Sequence, residues 1–151
     1  MTRSPPQKSL SQQVVGDLLQ RARLARQNAY APYSRFAVGA ALLTTSNEIF
    51  VGCNVENATY GATICAERTA AVTAIAAGFR KWTAIAIVLP GGGTPCGICR
   101  QFLAEFSPGL EIYVANASHP SLPPERFNLN DLFPVRFSGQ DVLNHAVPDS
   151  D

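Results

Sequence analysis

At 151 residues the chain is long enough for one domain with a sizeable core, and 46% hydrophobic against 15% charged residues excludes a disordered chain. Lys and Arg number 12 against 11 Asp and Glu, so the basic excess of a nucleic-acid binder is missing and a small substrate is favoured. No apolar run reaches the roughly 20 residues of a membrane span, and the start, Met1-Thr2-Arg3-Ser4-Pro5-Pro6-Gln7-Lys8, lacks the apolar segment of a signal peptide. The expectation is a soluble cytoplasmic protein whose partners include neither nucleic acid nor membrane.

Residues 1–8 read as a disordered leader. Ser9 or Ser11 then caps a helix whose apolar residues Val14, Val15, Leu18, Leu19, Ala22 and Ala25 recur at helical spacing, to about residue 28. Its Arg21, Arg23 and Arg26 read as a solvated face, because no other segment extends the charge. Pro32 disfavours helix at Ala31 and opens an aromatic loop, Tyr30-Ala31-Pro32-Tyr33-Ser34-Arg35-Phe36. Residues 36–45 and 48–53, joined at Ser46-Asn47, predict a β-hairpin. Its small residues Gly39, Ala40 and Ala41 suit close approach of a helix or a ligand, or inert packing.

Asn54 and Glu56 follow, two apart on an extended backbone and so pointing the same way. They can grip a diol or hydroxyl together, or form a capped turn before the next helix. That helix, rich in Ala, is predicted over 63–77 and stops at Gly78, placing Cys65 and Glu67 in its first turn. The apolar run 83–89 suits a strand buried on both faces. The Gly91-Gly92-Gly93 loop after it lacks the Gly-Lys-Ser/Thr of a phosphate cradle. A helix over 95–106 opens at Cys96-Gly97-Ile98-Cys99, Ile112-Tyr113-Val114-Ala115 makes a fourth strand, and 129–133 a helical turn. The order predicts a three-layer α/β/α fold with a mixed sheet, and right-handed crossovers bring both cysteine-bearing helices to one face.

Four cysteines can form two disulfides, but the tight Cys96/Cys99 pair favours metal thiolates. Cys65, Cys96 and Cys99 supply three ligands to one Zn²⁺ and leave its fourth position for water, the mark of a catalytic site. Cys65-Ala66-Glu67 with Pro95-Cys96-x-x-Cys99 is the pattern of zinc deaminases, in which a non-ligand Glu moves protons. Three thiolates leave the ion with a net negative charge, which weakens its pull on water. Arg68 and Arg100 are placed to offset this by hydrogen bonds to the sulfurs, or else make surface ion pairs.

These motifs, with Pro32-Tyr33-Ser34-x-Phe36-x-Val38-Gly39-Ala40-Ala41-Leu42 and Gly52-Cys53-Asn54-Val55-Glu56-Asn57-Ala58-x-Tyr60, resemble the small cytidine deaminases of pyrimidine salvage. The resemblance spans about 10–137 and implies a cytidine deaminase-like fold that hydrolyses cytidine and 2′-deoxycytidine to the uridines. It implies one Zn²⁺ per subunit on Cys65, Cys96 and Cys99, with Glu67 as proton shuttle. By the same resemblance Asn54 and Glu56 grip the ribose 3′-hydroxyl, Phe36 packs on the base and the Ala66 backbone meets its edge. Tyr60 and Phe137 close sites across subunits of a homotetramer. Here Pro134-Val135-Arg136-Phe137 carries bulky residues where relatives have small ones. Cys53 is left as a small buried residue, and His119 and His145 as ordinary loop or surface residues. The domain expected is a single zinc deaminase unit over 9–137 followed by a flexible tail over 138–151.

Four other readings compete. Blasticidin-type deaminases share Cys-Ala-Glu and Pro-Cys-Gly-x-Cys-Arg-Gln, but differ over the Asn54–Tyr60 stretch. A polynucleotide deaminase should display basic and aromatic residues that this charge balance lacks. A structural zinc module needs Cys53 or a His as fourth ligand, and a thioredoxin-like redox protein needs neither Cys65 nor Glu67.

Overall fold

In the computed structural model, which describes residues 9–144, helix α1 (Gln12–Arg26) starts where Ser11 Oγ accepts the Val14 N–H at 3.3 Å. It buries Val15, Leu18, Leu19, Ala22 and Ala25 and ends slightly before the expected boundary. The leader at 1–8 and His145 lie outside the described residues. Strands β1 (Gly39–Thr44) and β2 (Ile49–Cys53) form the predicted hairpin. Next come a single 3₁₀ turn (Tyr60–Ala62), α2 (Ala66–Ala76), β3 (Trp82–Leu89), α3 (Gly97–Phe106) and β4 (Glu111–Asn116). Gly78, at φ 95°, closes α2 in the left-handed conformation its place after the helix demands.

With β5 (Glu125–Asn128) added, the sheet order is β2-β1-β3-β4-β5, with β3 and β4 parallel and the other pairs antiparallel. Edge strand β5 was not expected; the four residues Glu-Arg-Phe-Asn carry no apolar alternation, and only pairing with β4 makes them a strand. Helix α4 (Leu129–Leu132) coincides with the predicted turn. Of the expected tail over 138–151, the described residues hold a short helix α5 (Gly139–Leu143) with a capping box of Ser138 and Asp141, and 145–151 lie outside them.

Both faces of the sheet are covered, in the three-layer α/β/α arrangement. On one side Ala40, Leu42, Ile85, Ile87, Ile112 and Val114 pack with Ala66, Ala70, Ala71 and Ala74 of α2 and Leu103 of α3. On the other, Ala41, Ala84, Ala86, Val88 and Ala115 meet Leu18, Leu19 and Ala22 of α1. Alternate residues of each strand thus go to opposite cores, which is why β3 reads as one unbroken apolar run. The cysteine-bearing α2 and α3 share a face, as the crossovers require.

Two glycines permit this closeness. A Cβ on Gly39 would lie 2.0 Å from the Ala22 carbonyl oxygen of α1, and one on Gly52 would lie 2.3 Å from Ala70 N and 2.6 Å from Ala66 O of α2. Helix backbone cannot yield as a side-chain tip does. Gly39→Ala is therefore expected to cost about 3 kcal/mol in urea unfolding, from overpacking against the α1 backbone. A loss under about 1 kcal/mol would mean that α1 can back away from the sheet.

Candidate metal centre and active site

Helices α2 and α3 each begin at a cysteine. Cys65 is the N-cap of α2 and Cys96 the N-cap of α3, one residue before the first turns where they were expected, while Cys99 lies buried inside α3. Neither N-cap side chain bonds to its helix in the way Ser or Asp would. The unpaired N–H groups and partial positive charge of two helix starts therefore sit beside sulfur, where they favour thiolate.

Cys65 Sγ lies 3.9 Å from Cys96 Sγ, and the three sulfurs of Cys65, Cys96 and Cys99 all lie within 4.8 Å of one another. A tetrahedral ion with Zn–S bonds of about 2.3 Å spaces its sulfurs by about 3.8 Å, so the donor set fits Zn²⁺. The group stops at three: among the described residues no fourth Cys, His, Asp or Glu joins it. The Cys65 thiol is drawn down to about 5, chiefly by the hydrogen bond from Cys99 and then by Arg68, while that same bond and burial push Cys99 up. Negative charge thus gathers at Cys65, whose sulfur Arg68 faces.

The two arginines part company. Arg68, one turn along α2, brings Nη2 to 3.8 Å from Cys65 Sγ and 3.3 Å from the Thr63 carbonyl. Its Nε is buried with no partner among the described residues. Arg100 does not reach a sulfur, contrary to expectation. Its Nε donates to Pro95 O at 2.7 Å, Nη2 to Thr94 Oγ1 at 2.6 Å and Nη1 to Leu132 O at 3.0 Å. Held by these three acceptors, it ties the loop carrying Cys96 to α4.

Glu67 is 6% exposed, in the first turn of α2. Burial raises its carboxyl to about 7, and the charge of Cys65 adds to the rise. A carboxyl titrating near neutrality can both take and give a proton. Ala66, beside it, is fully buried.

Asn54 and Glu56 extend from β2 on the same side of the chain, clamped by backbone bonds from Tyr30 N to Asn54 O and Glu56 N to Tyr30 O, and between Val55 and Ile64. Both side chains hold the aromatic loop in front of β1. Asn54 Oδ1 accepts from Val38 N at 2.8 Å and its Nδ2 donates to Phe36 O at 2.7 Å. Glu56 Oε2 accepts from Tyr33 N at 2.9 Å and Ser34 N at 3.2 Å, and Oε1 from the Ser34 hydroxyl. These donors, the Ser34 hydroxyl first, hold the Glu56 carboxyl below the usual carboxylate range. Its clamp is therefore complete above the unfolded-state value and is lost only as pH falls through the lower folded one. Residues 36–38 are held mainly by the side chains of Asn54 and Arg26, with one backbone bond from Asn54 N to Val38 O, and β1 begins at Gly39 and not at Phe36.

Phe36 is 42% exposed, Tyr60 77% and Phe137 65%. Tyr60 makes an edge contact with Tyr33, their ring centres 6.0 Å apart, and Gln101 Nε2 of α3 holds the Phe137 carbonyl at 2.9 Å. A cleft of about 300 Å³ is lined by Tyr33, Ser34, Glu56, Asn57, Tyr60 and Thr63. Cys53 is half-buried rather than buried, its Sγ 3.4 Å from Asn28 O and outside the cluster. His119 is an exposed loop residue whose Nδ1 lies 3.5 Å from Asn116 Nδ2. Sequence reasoning gave Ser34 no role; a serine two residues before an aromatic, able to fold its hydroxyl onto the following backbone, was the signal available. Arg26 also departs from the solvated face, its Nε donating to Ala37 O at 2.8 Å, whereas Arg21 pairs with Asp17 at 3.1 Å on the surface.

No helix among the described residues is long and apolar enough to cross a membrane. The family described as the cytidine and deoxycytidylate deaminase zinc-binding region matches residues 13–115. A cytidine deaminase of Sporosarcina psychrophila is 42% identical over 131 residues, 85% of this chain and 94% of its own. A probable cytidine deaminase of Dictyostelium discoideum is 37% identical over 143 residues, 93% of this chain and 95% of its own. Among solved structures, the cytidine deaminase of Burkholderia pseudomallei superposes with a TM-score of 0.76 at 46% identity, covering 81% of this chain and 98% of its own. The match takes in both cysteine-bearing helix starts and the sheet between them, and by it the chain belongs to the cytidine and deoxycytidylate deaminase family.

Proposed function

We propose that the chain hydrolyses cytidine and 2′-deoxycytidine to uridine and 2′-deoxyuridine with release of ammonia, as an enzyme of pyrimidine salvage. The observation that carries the reading is three sulfurs spaced for one ion, with a buried carboxyl next to them and no fourth ligand among the described residues. Cys65, Cys96 and Cys99 would hold Zn²⁺, which when bound supplies a Lewis acid able to make water nucleophilic near neutral pH.

Glu67 takes the proton of the attacking water and delivers it to the ring nitrogen next to the carbon attacked. As the C–N bond breaks, it takes the second proton from the hydroxyl now on that carbon and gives it to the leaving amino group, which departs as ammonia and leaves a carbonyl. Its burial excludes bulk water from this relay. Arg68 draws charge from the Cys65 sulfur, so that the three thiolates do not quench the electrophilicity of their ion. Arg100 keeps the Cys96 loop in place.

The half-exposed ring of Phe36 offers a face for the base, and the backbone at Ala66 its edge. Asn54 and Glu56 retain what a hydroxyl needs. One N–H of Asn54 Nδ2 remains after Phe36 O is served, and Glu56 Oε1 accepts only the Ser34 hydroxyl, so together they offer a donor and an acceptor to the ribose 3′-hydroxyl. Tyr60 and Phe137, both largely exposed, are apolar surface that a second copy can cover. They fit a homotetramer whose sites are completed at subunit contacts, and sedimentation should return the tetramer mass. We place the enzyme in the cytoplasm, where reducing conditions keep the three thiols free to ligate.

The deciding assay follows the ultraviolet absorbance of cytidine with the purified zinc-loaded protein, beside single-stranded oligonucleotide and a blasticidin-like antibiotic. Cytidine and deoxycytidine should be consumed with one ammonia each. An inert nucleoside alongside a deaminated oligonucleotide or antibiotic would overturn the assignment.

A further inference from the structure

We propose that Ser34 is a positioning residue that couples the grip on the sugar to the placement of the base-packing Phe36, through one hydroxyl shared by both. The inference rests on the reading that Glu56 takes a ribose hydroxyl. Ser34 Oγ donates to Glu56 Oε1 and accepts the Phe36 N–H at 3.0 Å. A serine hydroxyl has one donor and two acceptor sites, so it serves both partners at once.

The count of acceptor sites on Glu56 shows why this matters. A carboxylate offers about four lone-pair sites. The N–H groups of Tyr33 and Ser34 fill both on Oε2, and Ser34 Oγ takes one of the two on Oε1. A substrate hydroxyl is left with the remaining site on Oε1, whose direction is set by the Ser34 hydroxyl bound next to it. The turn is shaped for this contact. Arg35, between Ser34 and Phe36, sits at φ 58°, a conformation L side chains rarely adopt, and the Phe36 N–H lies against Ser34 Oγ directly after it. Ser34 and Glu56 also share the lining of the cleft of about 300 Å³.

Ser34→Ala removes the two hydroxyl bonds and nothing else that holds the loop. The N–H bonds to Oε2 remain, as do the Asn54 bonds to Phe36 O and Val38 N. The loop therefore stays folded, while Oε1 and Phe36 lose their common anchor.

The test measures kcat and KM for cytidine and 3′-deoxycytidine in the wild type, Ser34→Ala and Ser34→Thr, each with its zinc content determined. Loss of one hydrogen bond to a charged group predicts that Ser34→Ala raises KM for cytidine about tenfold, with a smaller change in kcat and undiminished zinc. The preference for cytidine over 3′-deoxycytidine in kcat/KM should shrink by a similar factor. Ser34→Thr, which keeps a hydroxyl, should restore both. A preference in Ser34→Ala equal to that of the wild type, or a threonine variant no better than the alanine one, overturns the coupling and leaves the Glu56 reading standing. A wild type that deaminates both nucleosides equally well overturns that reading and this proposal together.

Discussion

Glu67→Gln should yield a folded, zinc-loaded protein whose kcat for cytidine is lower by a factor of about 10²–10⁴, the range general acid–base catalysis contributes. Glutamine is isosteric and keeps a donor and an acceptor, so hydrogen bonds made by the side chain survive. What it cannot do is take a proton from water and pass it on. The fold should not suffer, because Glu67 is 6% exposed and burial, the chief force raising its carboxyl to about 7, already disfavours the charged form. A neutral amide in that place relieves the desolvation of a carboxylate. Turnover is read from the absorbance assay, zinc by elemental analysis and the fold from thermal unfolding. A variant with kcat within tenfold of the wild type would remove Glu67 from the proton relay, whatever its zinc content.

The second large effect is on the metal. Cys96→Ala should lose its zinc on dialysis against a chelator and fall to background activity. Two sulfurs remain, and a structural or catalytic zinc site held by protein needs at least three ligands. The Cys96 side chain is exposed and makes no capping bond, so its truncation should cost the apo fold little. The drop in melting temperature should instead equal that of the wild type stripped of metal, because a ligand that binds only the folded state stabilises it by mass action. Zinc retained at one per chain after the chelator would show that Cys96 is not a ligand. A much lower melting temperature than the stripped wild type would give the Cys96 side chain a structural task that its exposure does not suggest.

The cysteine motifs could be read from spacing because metal chemistry dictates residue types and short separations along one helix start. Four strands and three main helices were legible for a similar reason: burial on two faces writes an apolar run, and an alanine-rich stretch ended by glycine writes a helix. β5 escaped because Glu-Arg-Phe-Asn has no pattern of its own; the register that pairs Glu111 with Asn128 makes it a strand. Asn54 and Glu56 were legible as a same-side pair, yet their partners lie some twenty positions back, at residues no local rule connects to them. Cys53 was read as buried from the habits of free cysteine, whereas an edge strand leaves it half open.

By itself, then, the sequence determined the chemistry available: three thiols, one carboxyl two residues from the first, and helix starts to favour thiolate. Only the tertiary structure decided which groups meet. Cys65 and Cys96, 31 positions apart, come to 3.9 Å because two crossover helices share one face of the sheet. Arg68 and Arg100 look equivalent along the chain, each directly after a residue of a ligand motif. Arg68 is three residues after Cys65 and Arg100 four after Cys96, so helix spacing allows either to meet a sulfur; Arg68 does, while the Pro95 and Leu132 carbonyls and the Thr94 hydroxyl take up Arg100.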